Sequence, residues 1–190
     1  ASGGSTYTWS PGLITGNTAA FSPTTASTYT IVGSNGTCTS SATSTINVVP
    51  LPIVNITSSV TAICLGQSLT LNANGATTYT WLPGNLTSTS LLVSPLSTSS
   101  YTLIGSSANC AATAIRTITV NNPPALVASA NPPAICPGFN STLSATGAAS
   151  YSWNPGGITT SSASVSPAIS TTYTATGAST FGCISTQTVV

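Results

Sequence analysis

A short aromatic motif recurs along the chain at a constant spacing, and this repeat constrains the fold more than any other feature. Its three copies are Tyr7-Thr8-Trp9, Tyr79-Thr80-Trp81 and Tyr151-Ser152-Trp153, each followed closely by a Pro-Gly pair. The tryptophans step by 72 residues, since 81 − 9 and 153 − 81 are both 72. A fixed period of this size indicates tandem copies of one small domain.

The segment between the first and last copies alternates short apolar runs with turn signals, which is typical of an all-β sandwich. The predicted strands cover 53–57, 67–72 and 78–82, a strand through Leu91 and Val93, a strand through Tyr101 and Leu103, and a long last strand from Cys110 to about Val120. No stretch has helical periodicity, so essentially no helix is expected. The predicted fold class is all-β, a tandem of Ig-like β-sandwich repeats with a 72-residue period.

The repeat divides the 190-residue chain into three segments, called the first, middle and third repeats below. We expect a partial Ig-like repeat over 1–51 that lacks its first strands, a complete repeat over 52–123, and a repeat over 124–190 that is truncated in its last strand. Closely spaced prolines stand at both junctions, around 50–52 and 123–124. Proline keeps the chain extended, so short and semi-rigid spacers are predicted there.

The recurring aromatic pair has two interpretations. Exposed aromatic rings stack on sugars, which would make it a carbohydrate platform, whereas a tryptophan on the third strand of an Ig-like sandwich usually packs in the core. Folding alone explains why every repeat carries the pair, so a core role is the favoured interpretation. The residues of this core signature are Tyr7, Trp9, Tyr79, Trp81, Tyr151 and Trp153.

The chain is almost without charge: it has one basic residue, Arg116, and no Asp, Glu or His. General acid–base catalysis needs a group that titrates near the working pH, so no catalytic residue and no enzymatic activity are expected. Metal sites need carboxylates or Cys and His clusters, so neither a metal nor another cofactor is expected. One positive charge cannot neutralise a row of phosphates, which argues against nucleic acid as a partner. Because Arg116 has no acidic partner, we expect it to be solvated or stacked on an aromatic ring.

The cysteines also follow the repeat. Cys64 and Cys136 lie 72 residues apart at the start of their repeats, and Cys110 and Cys183 stand late in the same repeats. The simplest interpretation is two disulfides within repeats, Cys64 with Cys110 and Cys136 with Cys183, while buried free thiols are the alternative. Cys38 has no counterpart within the sequence and is expected to be unpaired. Disulfides indicate an oxidising, extracellular setting.

Four sequences match the pattern for N-linked glycosylation, in which a Ser or Thr follows two residues after an asparagine. The asparagines are Asn35, Asn55, Asn85 and Asn140. Such matches also arise by chance in a chain rich in Asn, Ser and Thr, and O-linked sugars are an equal alternative. No run approaches the roughly 18 apolar residues of a membrane-spanning helix, so no transmembrane segment is expected.

The order of these motifs resembles a known group of repeats. Ile63-Cys64-x-Gly66, then Tyr79-Thr80-Trp81-x-Pro83-Gly84, then Val93-Ser94-Pro95 and the late Cys110 are similar to the Ig-like or PKD-like tandem repeats of very large secreted surface proteins of Bacteroidota. The resemblance implies β-sandwich modules of adhesins, gliding-associated proteins and extracellular fibres, commonly exported by the type IX route, without catalytic residues. In the third repeat Pro137 replaces Leu65.

Together these observations predict an extracellular structural protein, a stiff rod or filament of disulfide-pinned repeats on or outside a bacterial cell. Its expected partners are other copies of itself or further repeats of the same chain, and the sequence is interpreted as a window of a longer repetitive chain. The alternative is an adhesin or carbohydrate-binding surface module whose sandwich-end loops contact surface glycans.

Overall fold

A computed structural model describes residues 1–190, and every regular element in it is a β-strand. The chain forms two compact units. One consists of Ala1–Pro52 with Ser107–Cys110, and the other of Ile53–Ser106 with Ala111–Val190. The second unit therefore holds the third repeat and nearly all of the middle repeat.

The first repeat forms a single four-stranded antiparallel sheet. Its strands are β1 (Thr6–Ser10), β2 (Ile14–Thr15), β3 (Ser27–Ser34) and β4 (Thr39–Ile46). They lie in the order β2-β1-β3-β4. β-Branched Thr and Ile are frequent in these strands, which suits a pleated and partly solvated surface.

The middle repeat forms a sandwich of two sheets. Its strands are β5 (Asn55–Thr57), β6 (Ala62–Cys64), β7 (Leu69–Asn74), β8 (Thr78–Leu82), β9 (Ser90–Val93), β10 (Ser99–Ser107) and β11 (Cys110–Asn121). One sheet has the order β5-β7-β9 and the other β6-β11-β10-β8. Residues from both sheets form one core, which includes Leu71 from the first sheet with Trp81, Leu103 and Ile118 from the second.

The third repeat has the same two-sheet arrangement. Its strands are β12 (Val127–Asn131), β13 (Ser141–Thr146), β14 (Ser150–Asn154), β15 (Ser162–Val165), β16 (Tyr173–Ala178) and β17 (Ile184–Val189). The sheets run β12-β13-β15 and β14-β16-β17. Leu143 and Trp153 meet in the core between them. The chain is therefore an all-β tandem of Ig-like repeats without helix.

The strand register repeats with the sequence. The aromatic motif lies on β1, β8 and β14, which begin at positions 6, 78 and 150. In each case the tryptophan faces the residue 22 positions later on the neighbouring strand. These pairs are Trp9 with Ile31, Trp81 with Leu103, and Trp153 with Ala175. The 72-residue period is thus a period of hydrogen-bonded structure as well as of sequence.

One strand of the middle repeat was not predicted from the sequence. β6 is three residues long, and it pairs in parallel with the end of β11, so that Cys64 lies opposite Asn121. Three residues between turn signals give too short a pattern to be recognised as a strand. This short strand sets the position of Cys64 and hence the disulfide described below.

A glycine at the turn before the aromatic strand is required by a close approach of the backbone. Gly75 has a φ of 94°, and its equivalent Gly147 has a φ of 90°. A Cβ at Gly75 would overlap the carbonyl oxygen of Ile53, and one at Gly147 would overlap that of Ala125. Both the left-handed backbone and the lack of space therefore call for glycine.

Candidate functional site

The tryptophans of the aromatic motif are structural groups of the sandwich. Trp81 and Trp153 have no exposed surface. Each indole Nε1 donates a hydrogen bond to the carbonyl seven residues later, Trp81 to Ser88 at 2.9 Å and Trp153 to Thr160 at 3.2 Å. A buried indole needs such an acceptor. Neither ring is available to stack on a sugar.

The tyrosines of the motif fix the turn that precedes each aromatic strand. The Tyr79 hydroxyl accepts a hydrogen bond from the Ala76 amide at 2.9 Å, and the Tyr151 hydroxyl accepts one from Ala148 at 3.1 Å. In the first repeat, Tyr7 accepts from Gly4 at 2.6 Å. The same contact three residues back in every repeat explains the tyrosine without a ligand.

The site that distinguishes this chain is a disulfide between Cys64 and Cys183, which joins the middle repeat to the third repeat across 119 positions of sequence. The two Cα atoms are 5.5 Å apart, within the range that disulfides need. Cys183 is 1% exposed. The predicted pairings of Cys64 with Cys110 and of Cys136 with Cys183 are therefore wrong.

The length of β11 explains why Cys64 does not reach Cys110. Cys64 lies opposite Asn121 at the end of β11, while Cys110 is the first residue of that strand. Eleven steps along a strand span roughly 36 Å, and a disulfide tolerates less than about 7 Å between Cα atoms. The early and late cysteines of one repeat thus lie at opposite ends of its long strand, and each can meet only a cysteine of an adjacent repeat.

The disulfide is held by backbone contacts at the end of β11. The Asn121 carbonyl oxygen accepts a hydrogen bond from the Leu65 amide at 2.9 Å, and the Cys183 Sγ lies 3.6 Å from the same oxygen. Cys64 begins a turn in which the Gln67 amide donates to its carbonyl at 3.0 Å and Gly66 has a φ of 88°. One carbonyl therefore aligns both halves of the disulfide.

Three cysteines are free thiols: Cys38 and Cys136 are exposed, and Cys110 is half-buried. Cys38 was expected to be unpaired. Cys136 begins the same kind of turn as Cys64, with the Phe139 amide donating to its carbonyl at 3.0 Å. Cys110 places its Sγ 3.7 Å from the Val49 carbonyl oxygen. The local geometry of a junction cysteine is thus present at positions that carry no disulfide.

The first repeat contains an open cleft of about 510 Å³ on its sheet. Tyr7, Trp9 and Ile31 line it together with Cys38. Phe21 covers part of the sheet, since its ring stacks on Tyr29 at 3.8 Å between centroids and meets Trp9 edge-on at 6.0 Å. The aromatic motif of the first repeat is consequently only partly buried.

The remaining predicted sites lie apart from the cysteines. All four asparagines of the glycosylation pattern are exposed: Asn35, Asn55, Asn85 and Asn140. The Asn35 Oδ1 accepts hydrogen bonds from the amides of residues 37 and 38. Their glycosylation stays a prediction.

Arg116 is partly buried on β11. Its terminal nitrogen donates to the Ser58 hydroxyl at 3.2 Å, and its Nε has no hydrogen-bond partner. This is neither of the two environments predicted, because the side chain lies along the middle repeat. No group of three or more metal-ligating residues occurs, and the structure has no helix that could cross a membrane.

Comparison with known proteins gives a likeness of fold. No protein-family model and no curated protein matches the chain. Among solved structures, the N-terminal eight Ig domains of Down Syndrome Cell Adhesion Molecule align with a TM-score of 0.46 and 14% identity, over 86% of this chain and 27% of that one. An I-band fragment from titin aligns with a TM-score of 0.41 and 13% identity, over 96% and 85% of the two chains. For the Ig domains 1–5 of Sidekick-1 the values are 0.33, 13%, 96% and 50%.

Proposed function

We propose that this chain is part of an extracellular structural protein, a stiff rod or filament in which Ig-like repeats are joined by disulfides from one repeat to the next. The Cys64–Cys183 disulfide carries the proposal, because it joins two repeats that the backbone already connects. Disulfides persist in oxidising surroundings, which places the protein outside the cell. The expected partners are further repeats of the same kind.

The surface composition supports an assembling, non-catalytic role. With a single charged side chain among 190 residues, neighbouring copies repel one another little. The same composition offers no general acid or base. A chain of this kind associates readily and presents no reactive group apart from its thiols.

The proposed mechanical role can be tested by stretching a single chain between its two ends. The disulfide bypasses the residues between Cys64 and Cys183, so these cannot extend while it is intact. At roughly 3.3–3.6 Å per residue, the oxidised chain should stop about 400 Å short of the reduced chain. Equal lengths with and without reductant would show that the disulfide does not lie in the load path.

The proposed location has its own test. Antibodies raised against the chain should label intact cells of the producing organism, without permeabilisation. Labelling that requires permeabilisation would contradict an extracellular role, and the loss of the disulfide in protein taken from the cells would contradict it a second time.

A surface-binding role is a second candidate, favoured by one observation. Phe181 lies in the turn that lengthens the third repeat, and 72% of its surface is exposed. An exposed aromatic ring on a sandwich-end loop is suited to stacking on a sugar or another apolar surface. A glycan array signal that disappears in Phe181→Ala but persists in Phe139→Ala, whose ring is also exposed, would favour this role.

A further inference from the structure

The surroundings of Cys110 repeat those of Cys183. Cys183 lies 3.6 Å from the carbonyl oxygen of Asn121, and Cys110 lies 3.7 Å from that of Val49, which stands 72 residues before Asn121. Each is the late cysteine of its repeat, placed beside the last β-strand residue of the repeat before it or the equivalent position. Cys110 therefore occupies the position of a disulfide half without being oxidised.

The other half at the second junction comes from β6. Cys64 lies opposite Asn121, and the Leu65 amide donates to the Asn121 carbonyl. Pairing with β6 accompanies the extension of β11 through residues 119–121, whereas β4 ends at Ile46 and residues 47–49 belong to no strand. A segment like β6 placed beside 47–49 would extend β4 and bring its cysteine to Cys110.

The face of the first sheet indicates what kind of segment fits. In the middle repeat the sheet β5-β7-β9 covers Trp81, Leu103 and Ile118, all of which have no exposed surface. The equivalent residues of the first repeat are uncovered: Trp9 and Ile31 are half-buried, and Ile46 is 39% exposed. The matching apolar face and the matching cysteine position call for one and the same partner.

We infer that Cys110 forms a second inter-repeat disulfide with the cysteine of a strand segment like residues 53–74, and that this segment covers the open sheet of the first repeat. The alternating Leu69 and Leu71 of such a segment pack on the sheet, and its cysteine faces Cys110. By the same rule, Cys38 lies at the far end of its repeat and does not react with the covering segment.

The bond is formed by oxidation of two thiols. The Cys110 thiol and the partner thiol each lose a proton and an electron as the S–S bond forms, and a disulfide oxidant accepts both electrons and is reduced to two thiols. In an experiment, oxidised glutathione supplies this oxidant. The inference deepens the structural role proposed above and rests on it. Since the experiment below involves no load, its failure can be told apart from a failure of the stretching experiment.

The test uses the full chain, with Cys64–Cys183 intact, and a synthetic peptide of residues 53–74 in a glutathione redox buffer. One peptide should become linked per chain, through Cys110, with at least about tenfold preference over Cys38, which corresponds to about 1.4 kcal/mol of docking energy. The emission of Trp9 should shift to shorter wavelength, because Trp81 and Trp153 are already buried. Residues 47–49 should gain protection from hydrogen exchange.

Matched variants separate docking from random oxidation. The chain variant Cys38→Ser should retain the linkage, and Cys110→Ser should lose it while keeping the Trp9 shift. A peptide with Leu69→Ser and Leu71→Ser keeps its cysteine but should lose the preference for Cys110. Equal linkage to Cys38 and Cys110, or equal preference with the serine peptide, would overturn the inference.

Discussion

The first and middle repeats carry the same aromatic motif and bury it to different depths. In the middle repeat a second sheet covers the motif, and Trp81 has no exposed surface. In the first repeat Trp9 keeps the same backbone register and the same hydrogen bond, to the Gly16 carbonyl at 2.9 Å, although its ring is only half-buried. The strand and its turn therefore form from local contacts, and the second sheet supplies the burial.

The two repeats also differ in how they are held. Cys64 of the middle repeat is bonded to the third repeat, while both cysteines nearest the first repeat, Cys38 and Cys110, are free thiols. Since burial and cross-linking are the two main sources of stability in small β-sandwiches, the difference teaches that stability along this array comes from neighbours. The predictions below test this contrast.

The largest effect is expected from the disulfide. The double variant Cys64→Ser, Cys183→Ser removes a link that closes a loop of 119 residues, which corresponds to about 5 kcal/mol on the chain-entropy model. Hydrogen exchange should rise throughout 53–106 and 111–190 and stay unchanged in 1–52. The control Cys38→Ser should change neither region. An equal rise in both units would remove the contrast between them.

Truncation of the tryptophans should come next. Trp81→Ala leaves a cavity in a closed core and should lower the free energy of unfolding of its unit by about 3–5 kcal/mol. Trp9→Ala acts on a half-buried ring and should cost its own unit about 1 kcal/mol. Urea denaturation followed by hydrogen exchange distinguishes the two units, and equal losses would contradict the account of burial.

Two equivalent glycines provide a smaller and sharper comparison. A Cβ at Gly105 would lie 2.5 Å from the Val54 Cγ2 and 2.8 Å from the Ala76 Cβ. At Gly33 the nearest atom would be a ring carbon of Tyr7 at 3.1 Å.

Overpacking should therefore make Gly105→Ala lose about 1–3 kcal/mol, and Gly33→Ala less than about 1 kcal/mol. Thermal denaturation of the two variants measures the difference. A larger loss in Gly33→Ala would mean that the first sheet is covered as tightly as the middle one.

The smallest effect concerns pH. With no Asp, Glu, His or Lys in the chain, stability should be nearly constant from about pH 4 to 8. Burial raises the pKa of the Tyr101 hydroxyl above its ordinary value. A raised folded-state pKa means that Tyr101 contributes stability below about pH 10, which is lost as the pH rises past the folded-state pKa.

A melting series from acid to alkaline pH should consequently be flat and then fall above about pH 10. In Tyr101→Phe the fall should be smaller, because no phenol remains at that position to ionise. A strong transition on the acid side would contradict the account.

The sequence was sufficient to predict the repeat and most of its strands. β8 spans the predicted residues, and β11 begins at Cys110 as expected. The alternation of Leu69 and Leu71 also correctly predicted two core positions, because a strand places every second side chain on the same face.

The disulfide pairing could not be predicted in the same way. A 72-residue period gives the position of each cysteine within its repeat, but it is silent on whether its partner lies in the same repeat or the next. The deciding quantity is the length of β11, which separates Cys110 from the residue opposite Cys64 by roughly 36 Å. A long last strand was predicted, so the signal was present; what was missing was the short strand β6.

The most direct test of the account is a single tryptic cut under non-reducing conditions. Free thiols are alkylated first, the chain is denatured, and trypsin cleaves after Arg116, its only site. Cys64 lies before this site and Cys183 after it. If the disulfide joins the repeats, residues 1–116 and 117–190 stay covalently linked until reductant is added. Release of two separate fragments without reductant would contradict the account, since that is the result of disulfides confined within each repeat.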